Sequence, residues 1–326
     1  MNILYENSLS NTDGLQVFAR QASPASFLGS PALLLDGLVV FPRVRLDCAT
    51  VEVEIAAAGA SYPGVAFNIQ DPHNYELAYA QPHTSGKWDA IQYEPVFHAS
   101  NTWQQYHGPA YQQTACVPAN QWFKMRLAFS GSRLAVWVDD QPPLLVEHLA
   151  HGEQEGWLGL WTYLPAHYRN LKVLDVPQLS VQKGVSPSAQ TGAVTEWLAE
   201  GFGRMRCEPT GILNVNRYLP VPVGQVRLLR SFEVTDEGKA VAHFGFSDEL
   251  TLELDGQEIF SGETRFGGMG TWESRGYVDP DGHNVELDLK PGCHTVAATL
   301  KASEYFGWGI AFALEGENIR WLPILG

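Results

Sequence analysis

Between Tyr62 and Tyr111 the chain collects side chains of two complementary kinds. Tyr75, Tyr79, Trp88, Tyr93, Trp103 and Tyr106 are flat aromatics, while Gln81, Asp89, Gln92 and Glu94 carry planar polar groups. Four of the 10 histidines, His73, His83, His98 and His107, fall in the same stretch. A sugar ring offers an apolar C–H face and a hydroxyl edge. It is held by stacking on aromatics and by hydrogen bonds from Asn, Gln, Asp, Glu or His. The expected ligand-binding set is Tyr79, Gln81, Trp88, Asp89, Gln92 and Trp103.

Catalysis on a sugar asks for more. Glycosidases place two carboxyls about 5–9.5 Å apart. Glu94 is the candidate acid or base, with His83 or His107 as its partner and Glu76 or Asp89 as the second carboxyl. Glu52 and Glu54 share one strand face but read as solvent-exposed. No local pattern singles out one pair.

Strand periodicity must position these groups. In Tyr75 to Gln81 the odd residues Tyr75, Leu77, Tyr79 and Gln81 share a face, and Glu76, Ala78 and Ala80 share the other. In Ala90 to Glu94, Gln92 and Glu94 lie opposite Ile91 and Tyr93. If the two strands pair, one sheet face presents Tyr79, Gln81, Gln92 and Glu94 together.

Period-two segments recur along the first 175 residues, separated by turn clusters such as Asp71-Pro72-His73-Asn74 and Ser130-Gly131-Ser132. Pro177 to Gln190 is rich in Ser, Gln, Pro and Gly and reads as a connection. Thr191 to Gly201 is predicted to hold one short helix, with Thr195 as N-cap. A second strand-rich block runs from Gly224 to Pro323, with a type I′ hairpin signal at Asp255-Gly256. The predicted fold is all-β: two antiparallel sandwiches or jelly rolls joined by a long connection with one short helix. The expected boundaries are 1–176, a linker over 177–205, and 206–326.

The remaining chemistry-bearing motifs are few. Gly-x-Ser-x-Gly, a phosphate-cradling Gly-Lys-Ser/Thr loop and His-Glu-x-x-His are absent from the sequence. Cys48, Cys116, Cys207 and Cys293 are far apart, so free thiols are expected rather than a zinc site. Asp279-Pro280-Asp281-Gly282 reads as a turn, and His148 and His151 as loop residues. No cofactor or metal is expected, with room left for structural calcium. Phe266 to Trp272 and Ser303 to Gly309 are glycine-rich aromatic loops, expected to be buried.

Acidic residues outnumber basic ones by 36 to 21, a net charge of −15. That field repels phosphate backbones and anionic lipids, so nucleic acid and membrane are not expected partners. No apolar run approaches the ~20 residues of a spanning helix. The N-terminus lacks the basic and apolar regions of a secretory signal, which predicts a cytoplasmic chain unless a leader has been removed. Oligomeric state is not legible.

Val65-Ala66-Phe67, Asp71 to Tyr75, Pro82-His83, Ser85-Gly86-Lys87, Asp89 to Tyr93, Trp122-Phe123-Lys124, Val136 to Asp139 and Gly156 to Trp161 carry a resemblance. The stretch resembles concanavalin A-like lectin/glucanase domains of the laminin-G-like and 3-keto-disaccharide hydrolase type. The resemblance covers about half the chain and implies a curved two-sheet jelly roll whose concave face holds carbohydrate. The Glu-x-Asp-x-x-Glu strand of the glucanases of that group is missing, since Asp89 to Glu94 has a different spacing. Phe246 to Leu250, Leu254-Asp255-Gly256 and Phe306 to Gly309 are similar to a galactose-binding-like jelly roll. The leading expectation is a protein that binds a glycan or small saccharide on the first sandwich. A glycoside hydrolase using the same cleft is the alternative, and a non-catalytic protein-interaction module the third reading.

Overall fold

The computed structural model describes residues 2–324 and is built from antiparallel strands. In the first half these are β1 (Ile3–Asn7), β2 (Gln16–Phe27), β3 (Ser30–Leu46), β4 (Cys48–Ala56), β5 (Gly64–Asp71), β6 (Asn74–Ala80) and β7 (Ile91–Phe97). They continue with β8 (Ser100–Asn101), β9 (Gln112–Gln113), β10 (Phe123–Ser130), β11 (Arg133–Val138), β12 (Leu144–Val146) and β13 (Gly156–Leu174). The chain divides into two units: Met1–Val96 with Tyr106–Ser186, and Phe97–Gln105 with Pro187–Gly326.

β13 organises one continuous 13-stranded sheet of β1–β13 and is long enough to run through both of its layers. Its first part pairs with β3 and β5, with Trp161 opposite both Leu38 and Gly64. Its second part pairs with β4 and β1, with Val173 opposite both Val51 and Tyr5. Between them the register shifts at 162–166, where Leu164 adopts φ 67°. The bend is tied locally. Thr162 Oγ1 donates to the Leu164 carbonyl at 2.7 Å, and Ser61 Oγ donates to the same carbonyl at 3.1 Å.

Alternation decides which side chains enter the core. Val39, Phe41, Phe67, Ala78, Tyr93, Leu158 and Leu160 from one layer meet Val51, Val53, Ile55, Met125, Leu127, Val136 and Val173 from the other. The opposite face of the first layer carries its own cluster: Leu38, Val40, Ala66, Tyr75, Leu77, Tyr79 and Val96, with Tyr62, Trp157 and Trp161 packed against it.

The second unit contains β14 (Glu196–Ala199), β15 (Gly203–Arg206), β16 (Ile212–Asn214), β17 (Gln225–Val234), β18 (Gly238–Phe246) and β19 (Asp248–Leu254). After them come β20 (Gln257–Thr264), β21 (His283–Leu289), β22 (Gly292–Lys301), β23 (Gly309–Glu315) and β24 (Ile319–Trp321). One sheet runs β15-β14-β17-β22-β19-β20 and the other β16-β23-β18-β21, around Trp197, Phe232, Phe244, Trp308 and Phe312. Asp255 and Gly256 take φ 52° and 81° at the β19–β20 turn, as the Asp-Gly pair requires.

The helix expected in Thr191 to Gly201 is a strand, β14, and helical structure among the described residues is limited to three-residue 3-10 turns. Period two wins here because Trp197 and Ala199 are buried while Leu198 faces out. Gly201, at φ 78°, turns the chain into β15 rather than ending a helix. The expected 177–205 linker is likewise divided. Gln178 donates its backbone N–H to Thr50 and Gly184 donates to Glu147 within the first unit, whereas β14 and β15 are sheet strands of the second. No helix among the described residues is long and apolar enough to cross a membrane.

Candidate functional site

β6 and β7 pair antiparallel, with Tyr79 opposite Gln92 and Leu77 opposite Glu94. Tyr79 donates its hydroxyl to the Glu94 carboxylate at 3.2 Å, and both residues are buried. Burial, and then the charge of Glu94, push the Tyr75 phenol above its ordinary range, while a hydrogen bond involving Trp161 acts the other way. These groups share the outer face of the sheet.

Glu76 lies on the opposite face. Its carboxylate accepts the Tyr93 hydroxyl at 2.8 Å and the His151 backbone N–H at 2.8 Å, inside the core. The sheet therefore separates Glu76 from Glu94, and the two do not form a facing carboxyl pair. Glu52 and Glu54 are taken up by cations on another surface: Lys124 is 3.6 Å from Glu52, and Arg169 is 2.6 Å from Glu54. Arg169 and Asn170 hold the Glu54 carboxyl below its ordinary range despite partial burial.

The other sequence-derived candidates disperse. The Gln92 amide donates to the carbonyls of Tyr93 and Tyr106 and accepts from Gln112, which fastens the 106–112 loop to β7. Gln81 donates to the Asp89 carbonyl at 2.5 Å and thereby closes the 82–90 loop. Asp89 is buried, whereas Trp88 and His107 are half-buried in loops. His83 occupies a 3-10 turn with its ring 4.7 Å from that of Tyr62. Trp103 belongs to the second unit, where its ring meets Phe266, Tyr277 and Phe306 at 5.5–5.8 Å.

Sequence reasoning passed over the accessible part of the face. Trp157, Trp161 and Tyr163 alternate along β13 with core-facing Leu158 and Leu160, a period-two signal that reads superficially as a short apolar run. Tyr62 lies 6.0 Å from Tyr79 and 5.8 Å from Tyr163, and Tyr79 lies 5.9 Å from Trp161. Tyr163, Tyr62, Tyr79 and Trp161 thus follow one another in an aromatic strip, in which Tyr79 is buried, Tyr62 and Trp161 are half-buried and Tyr163 is exposed. Arg20 sits over the Tyr163 ring at 5.3 Å and makes a two-pronged pair with Asp36 at 2.6 and 3.0 Å. Aromatic rings tilted 42–70° to one another and edged by a guanidinium–carboxylate pair have the chemistry for a ring with an apolar face and a polar rim.

Beneath the strip, Tyr168 works as a buried clamp. Its hydroxyl accepts the Gly64 N–H at 3.1 Å and donates to the Trp161 carbonyl at 2.7 Å. It fixes β5 against β13 at the point where Trp161 must stand.

Among the described residues no group of three or more His, Cys, Asp or Glu is placed to hold a metal ion. Asp279 closes a turn by accepting from the backbone of Asp281 and Gly282, and His151 Nε2 lies 3.0 Å from the Val96 carbonyl oxygen.

No protein-family model and no curated protein matches the sequence. Among solved structures, the chain is similar to the carbohydrate-binding module CBM66 from Bacillus subtilis, at 16% identity, TM-score 0.38, over 50% of this chain and 96% of that one. A Bacillus subtilis protein of unknown function with a galectin-like fold gives 12% identity and TM-score 0.40, over 53% and 95%. Domain 4 of AbnA, an extracellular GH43 arabinanase from Geobacillus stearothermophilus, gives 11% identity and TM-score 0.34, over 56% and 94%. At these values nothing about ligand or activity carries over to this chain.

Proposed function

We propose that the chain binds a glycan on the outer face of the first sandwich, with a sugar ring stacked on Trp161 at one end of the strip that Tyr79, Tyr62 and Tyr163 continue. The observation that carries the reading is the aromatic strip Tyr163–Tyr62–Tyr79–Trp161, whose accessible members Tyr62, Trp161 and Tyr163 are edged by the Arg20–Asp36 pair. Arg20 and Asp36 bond ring hydroxyls, while the buried ring nitrogens of His83 face away from the ligand. Tyr79 is the buried member of the strip, and Glu94 orients its hydroxyl. Recognition is favoured over hydrolysis because Glu76 is turned into the core and Glu94 is buried beneath Tyr79.

Affinity electrophoresis in gels containing laminarin, levan, arabinan or xylan tests this, followed by calorimetry on whichever retards the protein. Trp161→Ala is expected to weaken binding about tenfold or more, as loss of a central aromatic anchor does. Equal binding by Trp161→Ala, or no retardation by any polysaccharide, removes the reading. Glu94→Gln tests the enzymatic alternative, in which turnover is lost while affinity is retained.

A further inference from the structure

The sheet register sets side chains in straight rows across the strands. One row reads Gln92, Tyr79, Gly64, Trp161, Leu38 and Phe18, from β7 through β6, β5, β13 and β3 to β2. Residues directly opposite in antiparallel pairs project to the same face. Phe18 therefore stands on the face of Trp161 and Tyr79, at the far end of their row.

Neighbouring strands lie about 4.8 Å apart, so Phe18 is roughly 10 Å from Trp161 and roughly 19 Å from Tyr79 along the row. Leu38 fills the place between Phe18 and Trp161 and is itself 4% exposed. Its neighbours cover it, so Phe18 and Trp161 are the aromatic points of the row left open on either side of it. Phe18 is 46% exposed, and among the described residues no aromatic ring packs against it. An exposed Phe on an edge strand favours association, and such edges are ordinarily blunted by charge. Here the nearest charge on β2, Arg20, is committed to Asp36 and lies over Tyr163.

We infer that the ligand is a linear oligosaccharide lying across the strands, and that Phe18 on the first hairpin is an outer stacking position for it. The inference rests on the glycan reading above and adds the ligand's form and a third contact. A row of this length exceeds one sugar ring. A monosaccharide or chain end fills only the Trp161 position, whereas a longer chain reaches over Leu38 to Phe18.

The test is calorimetry of the full chain with a ladder from disaccharide to hexasaccharide, using laminari-, fructo- and arabino-oligosaccharides. Affinity is expected to rise with length in the wild type. Phe18→Ala should reduce hexasaccharide affinity about tenfold and leave disaccharide affinity unchanged, and Phe18→Tyr should restore the difference. Trp161→Ala should weaken every member of the ladder. If Trp161→Ala has that effect while Phe18→Ala binds hexasaccharide like the wild type, the extended site is wrong and the glycan reading stands. If no oligosaccharide binds, or Trp161→Ala binds all of them normally, both fall together.

Discussion

Tyr79 and Trp161 bring their ring centroids to 5.9 Å across Gly64, the residue that faces both in the sheet register. A Cβ at position 64 would sit 2.2 Å from the Ala78 carbonyl oxygen and 2.6 Å from the Tyr79 Cβ. Those contacts are with backbone and the root of a side chain, so they cannot yield by a rotamer change. Gly64→Ala is expected to cost about 1–3 kcal/mol, as overpacking of a close-packed site does. Thermal unfolding measures the cost, and an unchanged melting temperature would show that β5 has room the structure denies. Where the variant remains folded, its glycan affinity should also fall, because the two rings are forced apart.

Glu76, which the sequence offered as a carboxyl partner for Glu94, is expected to act on stability alone. Glu76 accepts the Tyr93 hydroxyl and the His151 N–H within the core, and Tyr93 in turn accepts the Ala150 N–H. Glu76→Ala leaves buried donors without their acceptor and should cost about 2–3 kcal/mol in urea unfolding. Glycan affinity of the folded fraction should be unaltered, because Glu76 faces away from the strip. Loss of affinity with normal stability would contradict the face assignment.

Strand periodicity made much of this legible. Alternation through Tyr75 to Gln81 and Ala90 to Glu94 gave the faces, and the β6–β7 pairing joins them as the spacing allows. Three features lay beyond that level. Alternation sets Glu76 on the face opposite Glu94 once the strands pair, but which of the two faces meets the core and buries Glu76 is left open by it. Trp161 and Tyr163 acquire their surroundings from β5, β6 and β2, strands distant in sequence. The amides of Gln81 and Gln92 look like hydroxyl binders in composition, yet loop closure consumes them, because a buried backbone carbonyl needs a donor. Trp197 and Ala199 similarly show how burial, rather than a plausible cap at Thr195, decided strand over helix.

Trp103 lies in the Phe97–Gln105 segment, which is part of the second unit. The Gln104 backbone donates to the Phe306 carbonyl and accepts from Val278, so the segment is bonded on both sides. Trp103→Ala removes a half-buried indole from contact with Phe266, Tyr277 and Phe306. A loss of about 2–3 kcal/mol is expected. Hydrogen exchange should quicken at 266–277 and 303–308 and stay unchanged in β4 and β10. Uniform exchange across the second unit would mean that this aromatic contact is not a local anchor.

Asp248 gives the second unit a pH dependence of calculable sign. It is buried at φ 71° and accepts the backbone N–H groups of Ser303 and Glu304 at 2.5 and 3.1 Å. Burial pushes its carboxyl up to about 6 from 3.8, and the charge of Glu304 adds to this, while the two N–H groups and Arg265 oppose it. The native state therefore holds the proton more tightly than the unfolded chain. This contribution is fully present below the unfolded value of 3.8 and is lost as pH rises through about 6. Its size is ~2–3 kcal/mol. Asp248→Asn cannot ionise, so its stability relative to wild type should improve by up to that amount between about pH 4 and about pH 8. Urea unfolding of both proteins at the two pH values measures the difference. Parallel pH profiles would show that Asp248 ionises in the folded protein as readily as in the unfolded chain.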